Sequence, residues 1–258
     1  MAAILSDAMS NITPLDRFVV SMPVRYASTF SVLEIQQHAR IVGERGTRPV
    51  CIGQFASLRH PGAAICIVAP DRPGLLATIS VALALVGFSV FEAEIFTRRA
   101  SPSLSEAVDF FWISRRAPLQ NLEILPADVN RLSQSLIDLL GRSEVVLPDR
   151  ASAIIQSSRE TSTRVRFMQD SVGQFTTLEV DTNDRSGLLL TICQTLFAAE
   201  IQIIGSHIKT IDGRARGRFE LVELDERPIG ADRRQELQMA ILSAIDDLPR
   251  PEVLSYVS

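Results

Sequence analysis

Three observations predict an α+β fold of two tandem βαββαβ modules with antiparallel sheets, preceded by a short helical N-terminal segment. First, the chain repeats itself. Shifted by 113 residues, 65–97 align with 178–210 without a gap, and ten of the thirty-three positions are identical. These include Asp71/Asp184, Arg72/Arg185, Gly74/Gly187, Leu83/Leu196 and Thr97/Thr210. A repeat this long means two copies of one module rather than a solenoid, whose period is about 20–50 residues. Second, each copy passes from a β-branched run through a D-R-x-G turn into helical spacing, a strand-turn-helix signature. Third, two further strands, a second helix and a closing strand follow in both copies, which completes the split-βαβ, ferredoxin-like order.

The elements follow in chain order. Thr13-Pro14 opens a short helix that ends before Pro23, since proline suits a first turn. Ser31-x-x-Glu34 is a capping box ahead of Ile35, Ala39 and Val42, and Gly46 is a natural stop. Val50–Phe55 and Arg164–Met168 read as strands that precede each copy, with His60-Pro61-Gly62 as a turn. Ala64–Ala69 and Thr177–Thr182 are the first strands proper. Leu75, Leu76, Ile79, Leu83 and Val86 recur at helical spacing, as do Leu188, Leu189, Ile192, Leu196 and Ala199. Pro73 fits the first turn of that helix and Gly87 its end.

Phe88–Thr97 and Ile201–Thr210 are the second strands. Ala107–Ile113 and Arg216–Leu224 are the third, at an offset that becomes 109 and pairs Phe110 with Phe219. Second helices run over Ala127–Gly141 and Asp232–Leu248, where the offset is 108. Val145–Leu147 and Val253–Val257 close the copies. The domain reading is a helical segment at 1–48, a first module at 49–148, a linker at 149–161 and a second module at 162–258.

Composition excludes several function classes. Of 26 basic side chains only Lys209 is a lysine, and no G-x-x-x-x-G-K occurs, so P-loop chemistry is absent. The net charge of −4 gives no field for nucleic acid or anionic lipid. Cys51, Cys66 and Cys193 lie far apart in apolar stretches, which points to buried thiols in a reducing cytoplasm. The N-terminus has neither a basic region nor a clean apolar core, so no signal peptide is predicted. Residues 73–91 carry no charge, yet Gly87 interrupts them, and the second copy of the pattern holds Glu200. A core helix followed by a buried strand is therefore expected, not a membrane span.

The run I-V-A-P-D-R-P-G-L-L-A-T-I-S at 67–80 resembles the first strand, loop and helix of an ACT domain, and E-V-D-T-N-D-R-S-G-L-L-L-T-I at 179–192 resembles it again. The tandem pair is similar to the C-terminal regulatory end of the bifunctional PII uridylyltransferase/uridylyl-removing enzyme family. E-A-V-D-F-F-W-I at 106–113 resembles that family's third strand. M-P-V-R-Y at 22–26 and I-Q-Q-H-A-R-I-V at 35–42 resemble its join to an HD domain. The catalytic halves of that family have no counterpart here: there is no D-x-D, and His38, His60 and His207 are followed by Ala, Pro and Ile.

The resemblance implies a non-catalytic amino-acid sensor of nitrogen status, with glutamine as the ligand. It implies a site at the D-R-x-G loop, beside the start of the second strand of a partner domain. The residues carried over are Asp71, Arg72, Pro73, Gly74 and Leu75 with Phe88 and Ser89, and Asp184, Arg185, Ser186, Gly187 and Leu188 with Ile201 and Gln202. Many family members have Asn where Ser89 and Gln202 stand. A helix N-terminus suits a carboxylate, but the same residues also make a plain strand-to-helix turn. Arg72 and Arg185 are the charges singled out within these loops. No catalytic residue, metal site or cofactor is predicted, and the modules are expected to pair within the chain or in a homodimer. The alternatives are an effector-free protein-interaction module, or a transcription-associated regulator similar to the tandem-ACT glycine cleavage repressor.

Overall fold

Both N-terminal capping signals close as hydrogen bonds in the computed structural model, which describes residues 13–57, 59, 63–101, 103–115, 124–141, 163–169 and 173–248. Thr13 Oγ1 accepts from the Asp16 N–H at 3.1 Å and starts α1 (Pro14–Ser21). Ser31 Oγ accepts from the Glu34 N–H at 3.3 Å and starts α3 (Val32–Arg45). Between them lies a single turn and a half, α2 (Val24–Thr29).

The remaining elements are β1 (Cys51–Phe55), β2 (Ala63–Pro70), α4 (Leu75–Val86), β3 (Phe88–Ser101), β4 (Leu104–Arg115) and α5 (Pro126–Leu140) in the first repeat. The second repeat holds β5 (Arg164–Gln169), β6 (Thr176–Asn183), α6 (Leu188–Ala198), β7 (Ile201–Ile211), β8 (Arg214–Glu223) and α7 (Ala231–Asp246). Pro73 falls in the turn, not the helix: Gly74 is the cap of α4 in the left-handed region. The uncharged stretch at 73–91 is α4 and the start of β3, and no helix among the described residues is long and apolar enough to cross a membrane.

The strands form one antiparallel sheet in the order β1-β2-β4-β3-β7-β8-β6-β5. Each repeat is thus a ferredoxin-like half-sheet, and the leading strand sits on the outer side of the module's first strand. The closing strands expected at 145–147 and 253–257, the turn at 60–62 and the linker at 149–161 lie outside the described residues.

The halves join where β3 pairs with β7, with Glu92 opposite Lys209 and Glu94 opposite His207. His207 stands 113 residues after Glu94, so equivalent positions face each other and a pseudo-two-fold axis passes between them. Both strands carry a bulge at the same place, between Val90 and Glu92 and between Ile203 and Gly205.

Helices α4 and α6 pack on each other across this seam, and with α5 and α7 they cover one sheet face over a shared apolar core. The other face is treated differently in the two halves. Over the first, α1–α3 enclose a second core of Phe18, Tyr26, Phe30, Phe55, Phe96, Phe110 and Trp112. His38 is buried among Phe30, Phe55 and Phe110 and receives or gives a 2.8 Å hydrogen bond with the Tyr26 hydroxyl. Burial holds its pKa down at about 3.

Over the second half the same face shows Arg216 and Arg218 to solvent, with Glu220 half-buried beside Arg25. The strands record this difference. β2 and the middle of β4 are buried on both sides, whereas β6 and β8 alternate.

Register corrects one sequence pairing. Ile65 faces Phe111 and Leu178 faces Phe219, so Phe111 is the counterpart of Phe219 and the offset over this strand is 108. Phe110 points to the other face, into the aromatic core under α1–α3. A one-residue slip exchanges faces along a strand, and the F-F dipeptide at 110–111 offered both choices.

Candidate functional site

The two D-R-x-G loops are built alike. The Asp71 N–H donates to Ser105 O at 3.1 Å, and the Asp184 N–H donates to Gly213 O at 2.8 Å. Thr97 Oγ1 donates to Asp71 Oδ2 at 2.9 Å, and Thr210 bonds Asp184 in the equivalent way. Burial raises the pKa of both carboxyls, against the opposing pull of these hydroxyls and of the following backbone N–H. Gly74 and Gly187 then turn the chain at φ 76° and 84°, a conformation glycine adopts without strain. In α6 this leaves the Leu189 and Leu190 N–H groups at a free helix end with its positive dipole.

The two loop arginines turn away from that end. Arg72 Nη1 donates to Leu140 O at 3.2 Å. Arg185 Nη1 donates to Ile245 O at 2.9 Å and to Leu248 O at 3.4 Å. Each therefore closes the C-terminus of the second helix of its own module, where carbonyls lack partners and positive charge is favoured.

The structure brings these residues together crosswise, each loop meeting the start of the second strand of the other module rather than of its own. The second loop, Asp184 to Leu188, faces Phe88, Ser89 and Val90 of the first module and encloses a cavity of about 440 Å³. The first loop, Asp71, Arg72, Gly74 and Leu75, faces Ile201, Gln202 and Ile203 of the second and encloses about 20 Å³. Pro73 does not line the small cavity, whereas its counterpart Ser186 lines the large one.

Three substitutions between equivalent positions account for the difference. Ala84 borders the large cavity where Phe197 fills the small one; the Phe197 ring lies 2.7 Å from where a Cβ on Gly74 would be. Gly217 lines the large cavity where Asp109 lines the small one, and Ser80 stands where Cys193 does. Asp109 is 1% exposed, and its Oδ1 has no hydrogen-bond partner. Burial, and then the neighbouring Asp71 charge, hold its pKa well above the carboxylate range. The sequence reading places none of these six residues at the site, with Cys193 read only as a buried thiol, although the gap-free alignment already sets Ala84 against Phe197.

The other candidates have structural partners. His207 Nδ1 lies 2.8 Å from Glu94, and Lys209 Nζ lies 3.2 Å from Glu92. Arg59 reaches both carboxylates, at 3.2 and 3.6 Å, and Arg25 reaches Glu94 at 2.9 Å. Glu92, Glu94 and His207 are close enough to share an ion, but two guanidinium groups and an ammonium already neutralise the carboxylates, which opposes a cation. Arg214 pairs with Asp181 at 2.6 Å. Trp112 is fully buried with Phe110 under α1–α3. All three cysteines are buried free thiols.

No family model matches the chain. Its sequence matches the bifunctional uridylyltransferase/uridylyl-removing enzyme of Phenylobacterium zucineum at 27% identity over 87% of this chain and 24% of that enzyme. The Cereibacter sphaeroides enzyme matches at 30% over 77% of the chain and 21% of the enzyme. The Ruegeria pomeroyi enzyme matches at 33% over 56% and 16%. The chain thus spans less than a quarter of the length of these relatives. A solved structure of a candidate glycine cleavage system transcriptional repressor aligns over 71% of this chain and 91% of its own, at 15% identity and a TM-score of 0.25, and nothing is built on it. In fold the chain is a tandem pair of ferredoxin-like modules, and in sequence it resembles a stretch of the bifunctional uridylyltransferase/uridylyl-removing enzymes.

Proposed function

We propose that the chain is a non-catalytic regulatory unit that binds one amino-acid effector at its second loop, D-R-S-G. The observation that carries this reading is the 440 Å³ cavity walled by both modules. Its size falls within the range of small-molecule sites, about 300–1,000 Å³. At one end stand the Leu189 and Leu190 N–H groups for a carboxylate and the Asp184 carboxylate for an ammonium. An occupant would touch α4 and β3 of one module and α6 of the other, so its binding energy is coupled to how the halves pack. Glutamine is the ligand that the resemblance implies. Buried free thiols favour a reducing compartment such as the cytoplasm.

The test is calorimetry and thermal unfolding of the whole chain against the twenty amino acids. One equivalent of one class is expected to bind, and a ligand at about 100 times its Kd stabilises by about 2.7 kcal/mol. If no amino acid binds or shifts unfolding at millimolar concentration, the reading fails. The 20 Å³ of the first loop, room for about one water, favours the second reading at that site: a loop that serves packing or a protein partner without an effector.

A further inference from the structure

We infer that the effector carries an apolar side chain, a narrowing that rests on the effector reading above and departs from glutamine. The polar groups of the large cavity gather at the loop: Asp184, Ser186 and Thr210 with the end of α6, and Arg185, whose Nη1 is committed to the Ile245 and Leu248 carbonyls. Thr210 is engaged by Asp184, which leaves this end to hold the ammonium and carboxylate shared by every α-amino acid.

Beyond it the walls change character. Val180 and Phe219 form the sheet floor, Ile192 and Ile208 one side, and Leu83 and Ala84 of the other module the opposite side. Two side-chain hydroxyls remain along that body. Ser80 Oγ already donates to Leu76 O at 2.8 Å. Ser89, half-buried at the start of β3, is the other. A carboxamide brings two N–H donors and a carbonyl acceptor, and one hydroxyl cannot replace the water that all of them lose. A branched aliphatic or thioether side chain of the same size loses no hydrogen bond there and covers the apolar wall. Gly217 and Ala84 are the residues that set the room: their counterparts in the first repeat, Asp109 and Phe197, bring in a carboxyl and a ring.

Near-isosteric ligand pairs test this on the intact chain by calorimetry: leucine against asparagine, and methionine against glutamine. At least one apolar member is expected to bind about a hundredfold more tightly than its amide partner. Glutamine or asparagine binding as tightly as its apolar partner, or more tightly, overturns the inference and leaves the effector reading standing. Failure of all twenty amino acids overturns both. Ala84→Phe is expected to remove binding while the chain still unfolds cooperatively. Binding retained by a folded Ala84→Phe chain would locate the ligand elsewhere and overturn both as well.

Discussion

The two D-R-x-G loops share their aspartate, arginine, glycine and clasping threonine, yet one encloses about 440 Å³ and the other about 20 Å³. What is common to them makes the turn. Asp71 and Asp184 hold the second strand, Arg72 and Arg185 hold the second helix, and Gly74 and Gly187 set the helix entry. What differs comes from elsewhere: Ala84 or Phe197 from the opposing helix, and Gly217 or Asp109 from the sheet floor. The motif therefore specifies the frame, and the walls decide whether anything fits inside it.

The strongest way to break the contrast is to remove the plug. Phe197→Ala combined with Asp109→Gly is expected to open the first loop and raise calorimetric stoichiometry from one ligand to two. Because Phe197 is 36% exposed, its truncation should cost about 2 kcal/mol, below the 3–5 kcal/mol of a fully buried Phe. Stoichiometry that stays at one in the folded double variant would mean that the walls are not what separates the loops.

A gentler change sharpens the role of Asp109. Its folded pKa lies above its unfolded value of 3.8, so between the two the folded state binds more protons and stability falls as pH rises. Asp109→Asn removes that loss, with an expected gain in stability at neutral pH and none below about pH 3.8. Denaturant midpoints measured across pH check it. A variant less stable than the parent at pH 7 would show that the hydrogen bond from the Phe96 backbone N–H outweighs the cost of burying the carboxylate.

Smaller effects separate frame from pocket. Thr97→Val and Thr210→Val each lose one clasp and should each cost about 1 kcal/mol. Only Thr210→Val should also weaken ligand binding, since Thr210 lines the large cavity. Smallest of all, Arg72→Ala and Arg185→Ala should cost about 0.5–1 kcal/mol, with Arg185 the larger because it serves two carbonyls. Equal losses of ligand affinity from both would contradict their assignment to the helix ends.

Much of this frame was legible in the residues. The repeat, the D-R-x-G turns, the Thr13-Pro14 helix start, the Ser31/Glu34 capping box and the leading strands each follow from local pattern, and all reappear as elements. Even the covered face of the first module can be read from β2 and β4, which lack the alternation of β6 and β8. The misses are long-range. Phe197 falls off the helical stripe that faces its own module, because it serves the other one. In sequence Arg72 and Arg185 read as charges with a ligand in view, but their carbonyl partners lie some sixty residues away, at a helix end no local pattern can bring near. Lys209 lacked a role in sequence because its partner Glu92 belongs to the other copy.

The β3–β7 seam joins equivalent strands as two identical subunits would join them, but within one polypeptide. Two consequences follow. Association of the halves is an intramolecular event, governed by effective concentration and insensitive to dilution. And whereas a two-fold assembly of identical chains must repeat every mutation on both sides of its axis, a duplicated chain can alter one side alone. The Ala84/Phe197 exchange is a change of that sort, available only after two copies of the module had become one molecule.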